Sequence, residues 1–543
     1  MPKKKGVPSL KSVCLSSIAQ HMQAVWVKDY SENYIDEHNF LYIMGPFNEL
    51  AGVLVQELLS LLGESRRLTR AMLHLLLVPH LTELSLRPCP GLVSNAITQL
   101  ITVRCKNLTF LDLHGCNRVS SAALVDLLEC LPRLLKLVLS ETQSNTQVLS
   151  AVGSSCTVLR ELDISNCKNL SVESLLHLVY DTTQRTFCCS KLRVLVVFGN
   201  EPRFQVENFV RVIAFVLLAV PSLEFLDSKY VMEALCLIHS YNFEGIKNVA
   251  GFPSLEELAK MRMSTGIKDY MSQITLHLRR VNEVEEQFLS MLSTLCRDVK
   301  EVTIFLTDCP VAGWCSVSWK HLTNLTIHCT GPKGRPLGKI IPVLEGLGSQ
   351  LQLLSLSDFF LNEEFSFCAI LNLCPNLRVF QGLFNPISEP LRIGNGDVEE
   401  EPQNWDLQLI HQTFSFLRSF SLIISEASGP LPPQQATILE ATLACLLKAS
   451  PVLETLSLIS LPVSLDRVFQ TALEPPAVAL FRLKQISLCE SRVSSSTIHL
   501  LLSADNQLGT MNLARCPDIH RRDYDEFLRT VKQKNLDIDI AWQ

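Results

Sequence analysis

Apolar and polar positions follow a short phrase that recurs along the chain. Leucine stands first, fourth and sixth and cysteine often ninth, as in Leu81, Leu84, Leu86 and Cys89, then Leu108, Leu111, Leu113 and Cys116. Further copies open at Leu134, with Thr142 in ninth place, and at Leu159, with Cys167 there, so successive starts lie 27, 26 and 25 residues apart. A fifth begins at Leu192. Leu223 and Leu226 open a copy that Asp227 and Ser228 spoil, and the stretch from Asn242 to Met263 carries none. The rhythm returns at Val299, Leu322, Leu351, Leu377, Leu417, Leu453, Leu483 and Leu508, and Leu536, Ile538 and Ile540 read as a last strand.

Alternate residues of such a phrase point to one side of a short strand, and the first leucine packs beneath the turn that enters it. A small cysteine suits the bend where the chain leaves the strand. Helical patterns such as Ser121 to Leu128 fill the intervals, often closed by a proline turn like Leu131-Pro132. One strand and one helix per repeat predict an α/β solenoid, a curved horseshoe with parallel strands inside and helices outside. The phrase resembles the cysteine-containing class of leucine-rich repeats, over residues 79–543. Irregularity is expected around 227–273. An acidic surface insertion is expected at 385–412, where Asp397 and Glu399 to Glu401 stand.

Composition narrows the function classes. Leucine makes up 93 of 543 residues, while aromatics are 7% and charged residues 19%, so the excess apolarity is aliphatic and suits a repeated core. A net charge of −6 gives no electrostatic case for nucleic acid. The longest clean apolar run, Val212 to Val220, is too short for a membrane span. No secretory signal is visible, so the 19 cysteines read as reduced thiols and the chain as cytoplasmic, nuclear or both.

Residues 1–78 lie outside the rhythm and read as a helical head. Leu10, Cys14 and Ile18 are four apart, on one face of a helix that Ser9 caps. This spacing resembles the BC-box of substrate receptors in cullin ubiquitin ligases. The resemblance implies that Leu10 anchors in Elongin C, Cys14 lets the helices approach closely and Ile18 adds a second apolar contact, with Elongin B and a cullin as further partners. Downstream, Pro46 suits a helix start, with Leu50, Leu54 and Leu58 as its stripe. In BC-box receptors a proline-led helix there is the cullin box, which makes Pro46, Leu50 and Leu54 the candidate cullin contacts. Gly45 stands where that family usually has an apolar residue. The same stretch loosely resembles the start of an F-box, which binds the Skp adaptor. A plain cap on the open end of the repeats accounts for the head as well. Among such receptors the chain looks most like the Zyg-eleven and PRAME types, without an evident armadillo segment.

No hydrolase elbow, zinc-protease motif, phosphate loop or dinucleotide fingerprint occurs, so the expected role is non-catalytic, without cofactor. The glycine-rich, basic stretch Gly331 to Lys339 lacks phosphate-loop spacing and reads as a surface turn. Cys309, Cys315, His321, His328 and Cys329 match no zinc spacing, and no metal is expected. The candidate target-binding surface is the outward row of strand residues on the concave face: Glu83, Arg87, Phe110, Asp112, His114, Glu161 and Asp163. Ser457, Gln485, Ser487, Thr510 and Asn512 continue it in later repeats. The acids in the early repeats suit a basic or amide-rich peptide.

Overall fold

The phrase folds as its spacing requires. In the computed structural model, which describes residues 2, 4, 6–29, 46–200, 206–243, 249–263, 274–307, 319–330, 336–360, 367–385, 413–425, 433–474 and 480–542, each copy supplies one strand. A first sheet runs in the order Glu83–Ser85, Phe110–Asp112, Lys136–Val138, Glu161–Asp163, Val194–Val196 and Phe225–Asp227, all parallel. Its register sets the fourth-position leucines Leu84, Leu111, Leu137, Leu162, Leu195 and Leu226 in one buried row. A second sheet holds ten strands in chain order, from Arg280–Glu285 to Asp539–Ala541. Its strands from Glu301–Leu306 onward pair in parallel. One strand per repeat, parallel and separated by helices, is the leucine-rich repeat solenoid.

Helices fill the intervals and are started by their own side chains. Ser120 caps Ser121–Glu129 by accepting from the Ala123 amide at 3.3 Å, and Asn145 caps Thr146–Ser155 by accepting from Val148 at 3.1 Å. Their apolar faces bury Leu124, Leu127, Val148 and Val152 against the leucine rows. Each such side chain contributes about 1.5–3 kcal/mol.

Two expectations change. The copy at Leu223 does form a strand, with Ser228 at position six burying a hydroxyl that has no partner among the described residues. The strand Arg280–Glu285 escapes the phrase because one residue is inserted. Glu283 takes a left-handed φ of 57°, so that Leu278, Val281 and Val284 point inward.

Position eight decides how far a strand runs. It is left-handed at Gly115, Glu141, Asn166, Gly199, Ser460, Glu490 and Arg515, and the chain turns away there. Where it is apolar instead, as at Leu306, Cys329, Phe384 and Ile424, it is buried and alternation carries the strand on to six or seven residues. At Asp358 the left-handed residue becomes a bulge, the register slips between Ser357 and Phe359, and the strand resumes.

Contacts divide the chain into two compact units. One holds Pro8–Val281 and Met291–Asp298; the other holds Met1–Val7, Asn282–Ser290 and Val299–Gln543. Residues 8–78 thus share a unit with the first repeats.

Candidate protein-interaction site

Helix α1 (Leu10–His21) begins at Ser9, whose hydroxyl accepts from the Ser12 amide at 3.1 Å. It packs on α2 (Gly52–Glu64), with Ala19 and, just beyond the helix, Met22 buried, and Lys11 pairs with Glu57. That packing turns the other side of α1 to solvent. Leu10 is 80% exposed and Val13 51%, Cys14 is exposed, and Ile18 is half-buried. An open groove of about 500 Å³ runs between the two helices, lined by Ser12, Leu15, Ser16, Val53, Gln56 and Ser60.

The proline-led helix is corrected. Pro46–Glu49 is a separate 3-10 turn, and α2 starts at Gly52, with Ala51 in extended backbone before it. The break has a cause. Phe47 is buried beside Trp26, with ring centroids 5.8 Å apart, and the His80 ring bonds the Leu50 carbonyl, so the chain bends before it can continue as helix. Pro46 is exposed, Leu50 lies at the bend, and Leu54 is half-buried on α2, so the three candidate cullin contacts do not form one helical stripe. Met44 and Gly45 lie outside the described residues. Helix α2 also covers the first repeat, where the Gln56 side chain donates to the Glu83 carbonyl at 3.2 Å.

No protein-family model and no curated protein matches the chain. Solved structures do. The yeast Rad7 and Elc1 complex aligns over 95% of this chain and 96% of that one, at 14% identity and a TM-score of 0.35. The leucine-rich repeat-containing protein LegL7 of Legionella pneumophila aligns over 54% and 88%, at 15% identity and 0.30. An internalin, inlF, of Listeria monocytogenes aligns over 83% and 88%, at 12% identity and 0.30. Likeness at this level carries no functional argument, and the fold rests on the strand register described above.

On the first sheet, the expected target-binding row divides into two kinds of residue. Asp112 is buried; it accepts from the Ser85 hydroxyl at 2.9 Å and the His114 amide at 3.0 Å. Asp163 accepts from the amide and hydroxyl of Ser165 at 2.9 and 2.7 Å. Both close the turn after their strand, so their charge is engaged at home. His114 meets the Ser140 hydroxyl at 2.7 Å. Glu161 pairs with Lys136 at 2.8 Å, and the Lys136 ammonium lies 5.8 Å from the Phe110 ring. Glu83 and Arg87 are exposed.

The buried thiols of the repeats fill the core. Cys116, Cys167 and Cys516 are buried at position nine, and Cys89 is half-buried. Cys167 donates to the Leu139 carbonyl at 3.1 Å and Cys516 to that of Leu488 at 3.0 Å; Ser491, in the same place, donates to Leu458 at 3.1 Å. A second set, Cys105, Cys156, Cys189, Cys296 and Cys374, is buried three residues before position one. Reading only the ninth place misses this set, although its spacing is as regular. Burial pushes Cys105, Cys116, Cys156, Cys296 and Cys374 up to about 12, far from a reactive thiolate. Cys309 and Cys315 lie outside the described residues; His328 stacks on Phe305 at 5.1 Å and Cys329 is buried.

Proposed function

We propose that the chain is a non-catalytic substrate receptor of a cullin ubiquitin ligase, docking on Elongin B and C through α1 and presenting a target protein on its repeats. The observation that carries this reading is the exposed line of Leu10, Val13 and Cys14 on a helix whose other side is already packed. A leucine held out at 80% exposure gains about 1.5–3 kcal/mol once a partner covers it. The BC-box resemblance of Leu10, Cys14 and Ile18 names the partner. The cullin contact remains an expectation from the head as a whole, since Pro46, Leu50 and Leu54 share no single helix face. The receptor acts by proximity, raising the concentration of target lysines near the charged enzyme. This reading implies work in the cytoplasm or nucleus, and no helix among the described residues is long and apolar enough to cross a membrane.

A second reading rests on the bond from Gln56 to Glu83, by which the head closes the first repeat: a scaffold whose head is only a cap. Co-purification with Elongin B and C, and separately with Skp, decides between them. The expected result is Elongin binding by the wild type and its loss in Leu10→Ser, with the melting temperature unchanged because Leu10 buries so little. Capture of Skp instead favours the F-box-like alternative. Binding to neither adaptor leaves the scaffold.

A further inference from the structure

The unit that holds the later repeats carries an edge unlike the rest of the molecule. Strands Val379–Asn385, Ser419–Ile424, Thr455–Ile459 and Gln485–Ser487 are neighbours in the second sheet. The residues just before them, Arg378, Arg418, Glu454 and Lys484, stand side by side, each backbone N–H after the first donating a hydrogen bond of 2.7–2.8 Å to the carbonyl of the one before. In the turns leading in, Phe416 is 52% exposed and Phe481 47%, with Arg482 exposed next to Phe481. At sheet spacing the four strands span about 14 Å.

The charges along this edge do not cancel. Lys484 is held by Glu454 at 2.7 Å, and the Glu454 carboxyl, drawn below its usual range by Lys484, also feels Arg418 and Arg482. Arg378, Arg418 and Arg482 make no ion pair closer than this among the described residues. On the matching edge of the first sheet Glu224 lies 3.9 Å from Arg193 and 3.3 Å from Arg279, with Arg160 outside these pairs, and no exposed phenylalanine stands in the two residues before position one. Arginine and phenylalanine presented together are the composition of an interface centre, where a ring supplies area and a guanidinium supplies direction.

We propose that Arg378, Arg418, Arg482, Phe416 and Phe481 form a docking edge for an acidic peptide segment of a partner protein, with carboxylates spaced by aliphatic or aromatic side chains. The cations meet the carboxylates bidentately and the two rings take the apolar side chains. Nucleic acid fits less well: few cations gather here, one acid stands among them, and the chain as a whole is negative. The proposal rests on reading the repeats as the part that presents a partner. It needs no adaptor, so Leu10→Ser leaves it intact and the two ideas fail separately.

Selection of random displayed peptides on the immobilised full-length chain tests it. Enriched sequences are expected to carry at least two acids with an apolar residue between them. Labelled copies are expected to lose about tenfold or more in affinity for the Arg378→Glu, Arg418→Glu double variant, and similarly for Phe416→Ser with Phe481→Ser. All four side chains are exposed, so an unchanged circular dichroism spectrum separates lost binding from lost folding. No enrichment, neutral or basic winners, or acidic peptides that bind the variants as well as the wild type overturn the proposal. A single-stranded oligonucleotide that binds the wild type more tightly than the peptides do, and is lost in the same variants, overturns the choice of a peptide.

Discussion

The two sheets are built from one phrase and present different faces. In the first, the three-residue strands present two outward rows that carry charge, Glu83, Lys136 and Glu161 at the third position and Asp112, Asp163 and Asp227 at the fifth, and four of the six repeats turn away at a left-handed eighth residue. In the second, the strands from Glu301–Leu306 to Ser419–Ile424 run longer, and one outward row reads Thr303, Thr326, Ser355, Gln381, Ser421, Ser457, Ser487 and Asn512, with no charge in it. The core row is apolar in both, all leucine in the first sheet and mixed in the second, where Phe380 stacks on Phe420 at 5.4 Å, so burial of that row does not by itself choose between these faces. The difference lies in residues the core does not constrain, which leaves the outward rows free to diverge while the fold stays fixed.

Three experiments press on that comparison. The largest effect is expected from alkali. Unfolded thiols ionise above about pH 8.5, whereas burial keeps Cys105, Cys116, Cys156 and Cys296 protonated to about 12 in the unit of the first repeats. The unfolded state then binds fewer protons than the native one, and stability falls as pH rises through that window. The other unit has Cys374, raised to about 12, and Cys516, raised to about 11. Limited proteolysis at pH 10 is therefore expected to release peptides from residues 80–230 before those from 320–540; the reverse order would falsify the assignment of the thiols as the alkaline weak point.

Next in size is the eighth position itself. Phe384 is fully buried there, and Phe384→Ala is expected to cost about 3–5 kcal/mol in urea unfolding. A loss under 1 kcal/mol means that the long strands do not depend on this side chain. Smaller is Gly199→Ala, at the same place in a short-strand repeat. Gly199 has φ of 79°, and a Cβ there meets the Asn166 side-chain oxygen at 2.0 Å. At least about 2 kcal/mol is expected from the left-handed backbone and the displaced asparagine, and a neutral result shows that the turn can relax.

Much of this was legible in the leucines. Leu84, Leu111 and Leu137 announce a buried row because their period survives every change around them. The strand Arg280–Glu285 did not show, since Glu283 breaks the alternation by one residue and only its backbone angle restores the register. The length of the second-sheet strands was there to be read, in the apolar eighth residues Leu306, Phe384 and Ile424, but it takes the left-handed turn at Glu141 or Arg515 to show what a polar eighth residue does instead. Asp112 and Asp163 look like ligands along the sequence. Whether a carboxylate faces a partner or the amide two residues on is a matter of three-dimensional turn geometry. On the head, the spacing of Leu10, Cys14 and Ile18 foretold a helix face, but the bend at Leu50 follows from burial of Phe47 and from His80, thirty residues downstream. The edge around Arg378 and Phe481 was not legible, because its members are scattered over more than a hundred residues and only the sheet assembles them.

Several of the small donors at the repeat ends tie one repeat to the one before it. Cys167 reaches back to Leu139, Ser491 to Leu458 and Cys516 to Leu488, in each case from one repeat to the one before it. Cys105 follows the same rule towards Val78, at 3.6 Å. Removing one of these donors therefore leaves a carbonyl of the preceding repeat without that partner, so a single side chain is felt in two repeats.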